Sequence, residues 1–226
     1  MLYLTSMIKA LMSSSLLSAT LVATALLPIS ESLAASSDWQ EAEGARVRVV
    51  TQSTPDENGI LKAIIEVDLE PGWKTYWRAP GDGGIPPRFN WSGSQNLAAV
   101  QIVYPTPIVM DQNGIRAIGY DRDVICPLIV TAKDRSKPVQ LIGEIEIGVC
   151  EEICIPERVS VSLTLPVEPT RLNDQVASLF DQAEALIPTP LAVTSEFSMT
   201  GDNIRLSLGL PAGADHRVNS VEYFPY

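Results

Sequence analysis

From residue 45 to residue 165 the chain repeats one pattern, short runs of alternating apolar and polar residues separated by Pro and Gly. Leu61, Ala63, Ile65, Val67 and Leu69 fall on one face of an extended segment, with Lys62, Glu66 and Asp68 on the other. Val139, Leu141, Gly143, Ile145, Ile147 and Val149 keep the same period of two, as do Val159, Val161, Leu163 and Leu165. Strict alternation means one buried and one wet face, which antiparallel sheets have and buried parallel sheets lack. Shorter strand candidates lie at 46–51, 88–91, 100–104, 116–120 and 124–131. Many short strands, frequent turn signals and no intervening helix predict an all-β chain, an immunoglobulin-like antiparallel β-sandwich over residues 36–168. The two distant cysteines around a tryptophan that mark true immunoglobulin domains are absent, so the pattern implies the architecture alone.

The period changes after Pro166 and Pro169. Leu172, Val176, Leu179, Phe180, Ala183 and Ile187 make one apolar stripe at helical spacing, predicting an amphipathic helix over about 171–187 within a linker, residues 169–190. Thr170 or Asn173 can cap its start, and Pro188 and Pro190 end it. Alternation returns at 192–198 and 203–210. Ile204, Leu206, Leu208 and Leu210 run into Pro211-Ala212-Gly213, much as 61–69 runs into Pro71-Gly72. This weak repeat reads as the start of a second β-domain, incomplete over residues 191–226, because fewer than about forty residues do not bury a core of their own.

Residues 1–35 follow a different logic. Lys9 precedes an apolar stretch from Ala10 to Leu27, Pro28 breaks it, and Ser32-Leu33-Ala34 supplies small residues for cleavage. That order is a secretory signal, with an uncleaved anchor as the competing reading. Cleavage after Ala34 leaves about 190 residues of exported, periplasmic chain, enough for one sizeable domain. The formal charge of −11 repels phosphate backbones, so nucleic acid is not an expected partner.

Export changes the meaning of the three cysteines, because a close pair in an oxidising compartment forms a disulfide at least part of the time. Cys150 and Cys154 sit where the strand ending at Val149 turns into the one carrying Val159. A bridge across so few residues removes little chain entropy, on the order of 2 kcal/mol or less. It is a poor staple and suits reversible chemistry. Two other readings stay open: a passive hairpin clip in a β-sandwich binding module, and a copper(I) site made of two soft thiolates. A zinc site lacks its four ligands, since the single histidine, His216, lies far along the chain. Glu151 and Glu152, lying between the cysteines, disfavour a thiolate, and no cation is adjacent before Arg158, so a sluggish thiol is expected. Cys126, within the apolar run Val124 to Val130, reads as an inert core residue. The glycine-rich stretch Pro80 to Pro86 lacks the Lys-Ser/Thr of a phosphate loop and reads as a turn, with Asp82 a turn residue. Trp73, Tyr76, Trp77 and Trp91 read as core.

Three ordered motifs carry a resemblance: Trp73-Lys74-Thr75-Tyr76-Trp77, Pro80-Gly81-Asp82-Gly83-Gly84-Ile85-Pro86, and Gly148-Val149-Cys150-Glu151-Glu152-Ile153-Cys154-Ile155-Pro156-Glu157. Over residues 38–168 the chain resembles the N-terminal periplasmic domain of the DsbD/ScsB thiol–disulfide interchange family, and its later segments resemble the ScsB-like continuation. The resemblance implies an immunoglobulin-like sandwich with one redox-active cysteine pair, and a covering loop that would make residues 80–86 a lid over the cysteines; no cofactor is expected. Its expected partners are periplasmic thioredoxin-fold proteins and a membrane-embedded electron donor. Cys154 would attack the partner disulfide and Cys150 would resolve it. The membrane and thioredoxin-like domains of the family are not in this chain.

Overall fold

The computed structural model describes residues 36–52, 55–112, 114–167, 174–190, 194–209 and 224. The signal reading of residues 1–35 and the position of His216 lie outside them. The strands in chain order are β1 (Gln40–Ala42), β2 (Ala45–Thr51), β3 (Leu61–Leu69), β4 (Lys74–Tyr76), β5 (Arg88–Asn90), β6 (Leu97–Ile102), β7 (Ile108–Gln112), β8 (Ile115–Tyr120), β9 (Val124–Ala132), β10 (Val139–Cys150) and β11 (Cys154–Leu165). Helix α1 (Asp174–Ala185) and the hairpin β12 (Thr194–Thr200) and β13 (Asn203–Gly209) follow.

Eleven of these strands form two antiparallel sheets. One has the order β1-β2-β3-β9-β6; the other runs β11-β10-β4-β8-β7, with β5 also pairing β10. The core between them is the predicted alternation made physical. Val47, Val49, Leu61, Ala63, Ile65, Leu128 and Val130 from one sheet meet Val139, Leu141, Ile145, Ile147, Val149, Val161 and Leu165 from the other. Each fully buried aliphatic side chain here stabilises the fold by about 1.5–3 kcal/mol. The chain is thus an all-β, immunoglobulin-like sandwich, as its periodicity predicts. The matching strands agree to within a few residues, with β6 lying somewhat earlier than expected. β1, β4 and β7 have no counterpart in the sequence reading, being three to five residues long and without sustained alternation.

Ile64 and Ile125 break the alternation, and α1 explains them. Both point away from the inter-sheet core and are covered by Ala183, with Leu179 and Phe180 packed alongside. The stripe predicted for this helix therefore serves one small patch on the outer face of the β3–β9 pair. The hairpin β12–β13 differs from its expectation of one buried face. Its apolar residues are exposed, Phe197 at 67%, Met199 at 76% and Ile204 at 70%.

Candidate functional site

β10 and β11 pair in unbroken register from Val139↔Leu165 to Cys150↔Cys154, so the two cysteines face each other at the end of a ladder. Residues 151–153 make the connection. Cys150 and Cys154 form a disulfide with their α-carbons 4.1 Å apart, a little under the usual span for disulfides, as the close approach of directly opposed strand residues allows. The two sulfurs differ in access. Cys150 is 2% exposed and packs with Tyr76, Met110 and Ala117, whereas Cys154 is half-buried at the margin of that cluster.

Short β4 brings the rest of the site into place. It pairs β10 through Val149↔Thr75 and Cys150↔Lys74, and β8 through Thr75↔Tyr120 and Tyr76↔Gly119. The buried Thr75 hydroxyl donates to the Gly148 carbonyl at 2.8 Å, tying β4 to the cysteine strand. The Tyr76 ring is held between two glycines. A β-carbon on Gly84 would stand 2.6 Å from Tyr76 Cδ1, and one on Gly148 would stand 2.8 Å from Tyr76 Cδ2. Only glycine permits that approach. So held, Tyr76 Oη lies 3.0 Å from Cys154 Sγ and 2.8 Å from Gln112 Oε1 of β7. Burial pushes the Tyr76 phenol above its ordinary pKa, offset in part by the hydrogen bond to Gln112.

Around the disulfide lies a groove of about 590 Å³, lined by Lys74, Gly83, Asp111, Gln112, Ile115, the two cysteines and the turn residues Glu151, Glu152 and Ile153. Ile153 is 76% exposed beside Cys154. A hollow of about 740 Å³ lies against α1, near Arg48, Glu66 and Gln182, and holds none of the cysteines. Among the described residues no three His, Cys, Asp or Glu side chains converge as metal ligands.

Several expectations meet the structure here. Cys150 and Cys154 come together, and Cys126 does not join them. It lies in β9 opposite Ile65, and burial pushes its thiol up to about 12. Asp82 is exposed in a turn. The 80–86 loop contributes Gly83 to the rim and packs Ile85 on Gly148, but the rim beside Cys154 also comes from β7 and β8, through Asp111, Gln112 and Ile115. The expectation that no cation neighbours the cysteines is corrected, because strand pairing sets Lys74 directly opposite Cys150. Tyr76 is core, as expected, and its hydroxyl also reaches the sulfur. The sequence reading missed Gln112 altogether. The one signal for it was a polar residue in a short run before Gly114, too common a pattern to single out.

The sequence pattern described as thiol:disulfide interchange protein DsbD, N-terminal, matches residues 39–166. Among solved structures, the crystal structure of the N-terminal periplasmic domain of ScsB from Proteus mirabilis matches with a TM-score of 0.60 at 29% sequence identity, covering 77% of this chain and 69% of that one. The GAE domain of yeast GGA1 matches with a TM-score of 0.31 at 11% identity, over 58% of this chain and 99% of that one. None of the curated proteins matches.

Proposed function

We propose, from the premise that the chain belongs to the family of N-terminal domains of thiol:disulfide interchange protein DsbD, that Cys150 and Cys154 are a redox-active pair exchanging electrons with disulfides of other exported proteins. The observation that carries this reading is the unequal burial of the two sulfurs, Cys150 at 2% exposure and Cys154 half-buried in an open groove. In the reduced protein the Cys154 thiolate attacks a partner disulfide, forming a mixed disulfide and releasing one partner thiolate. The Cys150 thiolate then attacks Cys154 Sγ, closing the Cys150–Cys154 disulfide and releasing the second partner thiolate. Two electrons pass to the partner. Re-reduction runs the same steps backwards, with Cys154 again the sulfur that an incoming thiolate reaches.

The partners in this reading are periplasmic proteins of thioredoxin fold, with a membrane-embedded donor upstream. The exposed Ile153, Ile115 and Val109 suit an apolar contact of the kind such encounters use. The periplasmic location rests on the similarity to the ScsB domain and on the signal-like residues 1–35.

Trapping tests the proposal. With the resolving residue gone, Cys150→Ser should hold an oxidised thioredoxin-fold isomerase as a stable covalent complex on non-reducing gels, and Cys154→Ser should hold far less. The pair's reduction potential should lie above about −300 mV, where exchange proteins lie and structural disulfides do not. No trapping by either variant, with a potential below that value, would establish a passive clip instead. Trapping mainly through Cys150 would keep the exchange and reverse the roles.

A further inference from the structure

The hydrogen bonds around Tyr76 leave a buried donor without an acceptor. Gln112 Oε1 lies 2.8 Å from Tyr76 Oη, while Gln112 Nε2 is buried and has no hydrogen-bond partner among the described residues. Tyr76 Oη also lies 3.0 Å from Cys154 Sγ. A phenol has one proton, and a disulfide sulfur has none to offer. If Tyr76 donates to Gln112, both N–H groups of the amide go unmet and the sulfur receives nothing. Exchanging the amide oxygen and nitrogen, which heavy-atom positions do not distinguish, improves the count. Nε2 then donates to Tyr76 Oη, and the phenolic proton turns to Cys154 Sγ. One N–H and the carbonyl are then left over, a lighter deficit than two N–H groups, because an unmet carbonyl is the cheaper orphan.

We propose that Gln112 is a positioning residue that turns the Tyr76 hydroxyl onto Cys154 Sγ, making Tyr76 the donor that stabilises the Cys154 thiolate. A hydrogen bond to the charged form of a group favours that form. The donor matters here because the turn itself supplies the wrong charges. Glu151, Glu152 and, from β7, Asp111 face the groove, against Lys74 from β4, the one cation among its described lining residues. Burial keeps the phenol protonated at neutral pH, so it donates throughout the working range. The placement is rigid, since Gly84 and Gly148 hold the ring from either side. Cys154 is the thiolate in both directions of exchange, as nucleophile towards an oxidised partner and as leaving group during re-reduction. The same donor therefore serves both.

The inference rests on the exchange reading for its purpose, and its test is independent of any partner. In the full chain carrying Cys150→Ser, Cys154 is titrated by ultraviolet thiolate absorbance and by the pH dependence of its alkylation. Cys126 does not interfere, since burial holds its thiol up near 12. Tyr76→Phe keeps the ring and removes the donor; Gln112→Leu and Gln112→Glu each remove the amide donor, and the carboxylate takes the phenolic proton for itself. All three should raise the Cys154 midpoint by about one pH unit, roughly a tenfold loss of thiolate below it, as expected for a hydrogen bond to a charged group. Gln112→Leu should add nothing in a Tyr76→Phe background, because it acts only through the hydroxyl, whereas a merely structural role would shift both backgrounds alike. Thermal melts check that each variant is folded. An unchanged midpoint in folded Tyr76→Phe overturns the donor role, and an unchanged midpoint in folded Gln112→Leu overturns the positioning role. Failure of trapping with the expected titrations would remove the exchange reading and leave the hydrogen-bond assignment standing.

Discussion

Burial separates the three thiols more sharply than sequence position does. Cys126 is a core residue with its thiol pushed up to about 12 from an ordinary 9.0 by burial. A group raised in this way favours folding below pH 9, where both folded and unfolded chains keep the proton. It loses that contribution between about pH 9 and 12, where the unfolded chain gives up a proton that the folded chain retains. Burial raises Tyr104 and Tyr120 in the same direction. Cys126→Ser should cost on the order of 1–3 kcal/mol at neutral pH by placing a hydroxyl in the core. It should also flatten the alkaline fall in stability by about 1.4 kcal/mol per pH unit in that window. Denaturation midpoints across the pH series measure both, while trapping through Cys154 should persist. If alkylation of the folded, reduced protein labels Cys126 before Cys154, the core assignment is wrong. Gly148 makes a second prediction at this scale. A methyl group there meets Ile85 at 2.5 Å and the Tyr76 ring at 2.8 Å. Gly148→Ala should destabilise by about 1–3 kcal/mol through overpacking. It should also raise the Cys154 midpoint, because the hydroxyl moves with its ring; a stability loss with an unmoved midpoint would uncouple the two.

The elements divide the work. The paired strands β10 and β11 hold the cysteines in register, and β4, β7 and β8 surround them with the side chains that tune and frame the sulfurs. Helix α1 belongs to the other sheet, where Ala183 at 1% exposure seals Ile64 and Ile125. Ala183→Glu places a carboxylate against those two isoleucines and should lower stability by on the order of 2 kcal/mol. The rate of mixed-disulfide formation should stay within about twofold of the parent, since sites that share no partners act independently. A large change in that rate at unchanged fold would mean that α1 takes part in the site. Removing the tie between β4 and β10 should do the opposite. Thr75→Val deletes the donor to the Gly148 carbonyl and should cost about 1–3 kcal/mol, because a buried acceptor is left unmet. The effect should be visible in urea midpoints and accompanied by faster hydrogen exchange at β4.

At the scale of the whole molecule, the sandwich holds the half-buried Cys154 at one end of its longest strand pair, and the prediction that belongs here concerns maturation. The order of charge, apolar run and small residues before Ala35 predicts a mature N-terminus at Ala35 or within a residue or two. Mass spectrometry of the exported protein measures it, and an intact Met1 in the soluble fraction would refute it. The sequence alone determined the sandwich class, the long strands and the cysteine pair, because each is written in local spacing. A period of two over Leu61–Leu69 or Val139–Val149 can face a core in only one way, and two cysteines four residues apart at a strand junction can meet across a tight hairpin. Tertiary structure alone decided what surrounds the sulfur. Tyr76 lies 78 residues from Cys154 and 36 from Gln112, on strands too short and too mixed in polarity to announce themselves. Lys74 meets Cys150 only because β4 pairs with the end of β10. Outward-facing Ile64 and Ile125 look like breaks in a pattern until α1 covers them. Alternation reports which face of a strand is buried and says nothing of which distant strand becomes its neighbour; that choice is made by the packing of the whole sheet, and the chemistry of the site sits at those junctions.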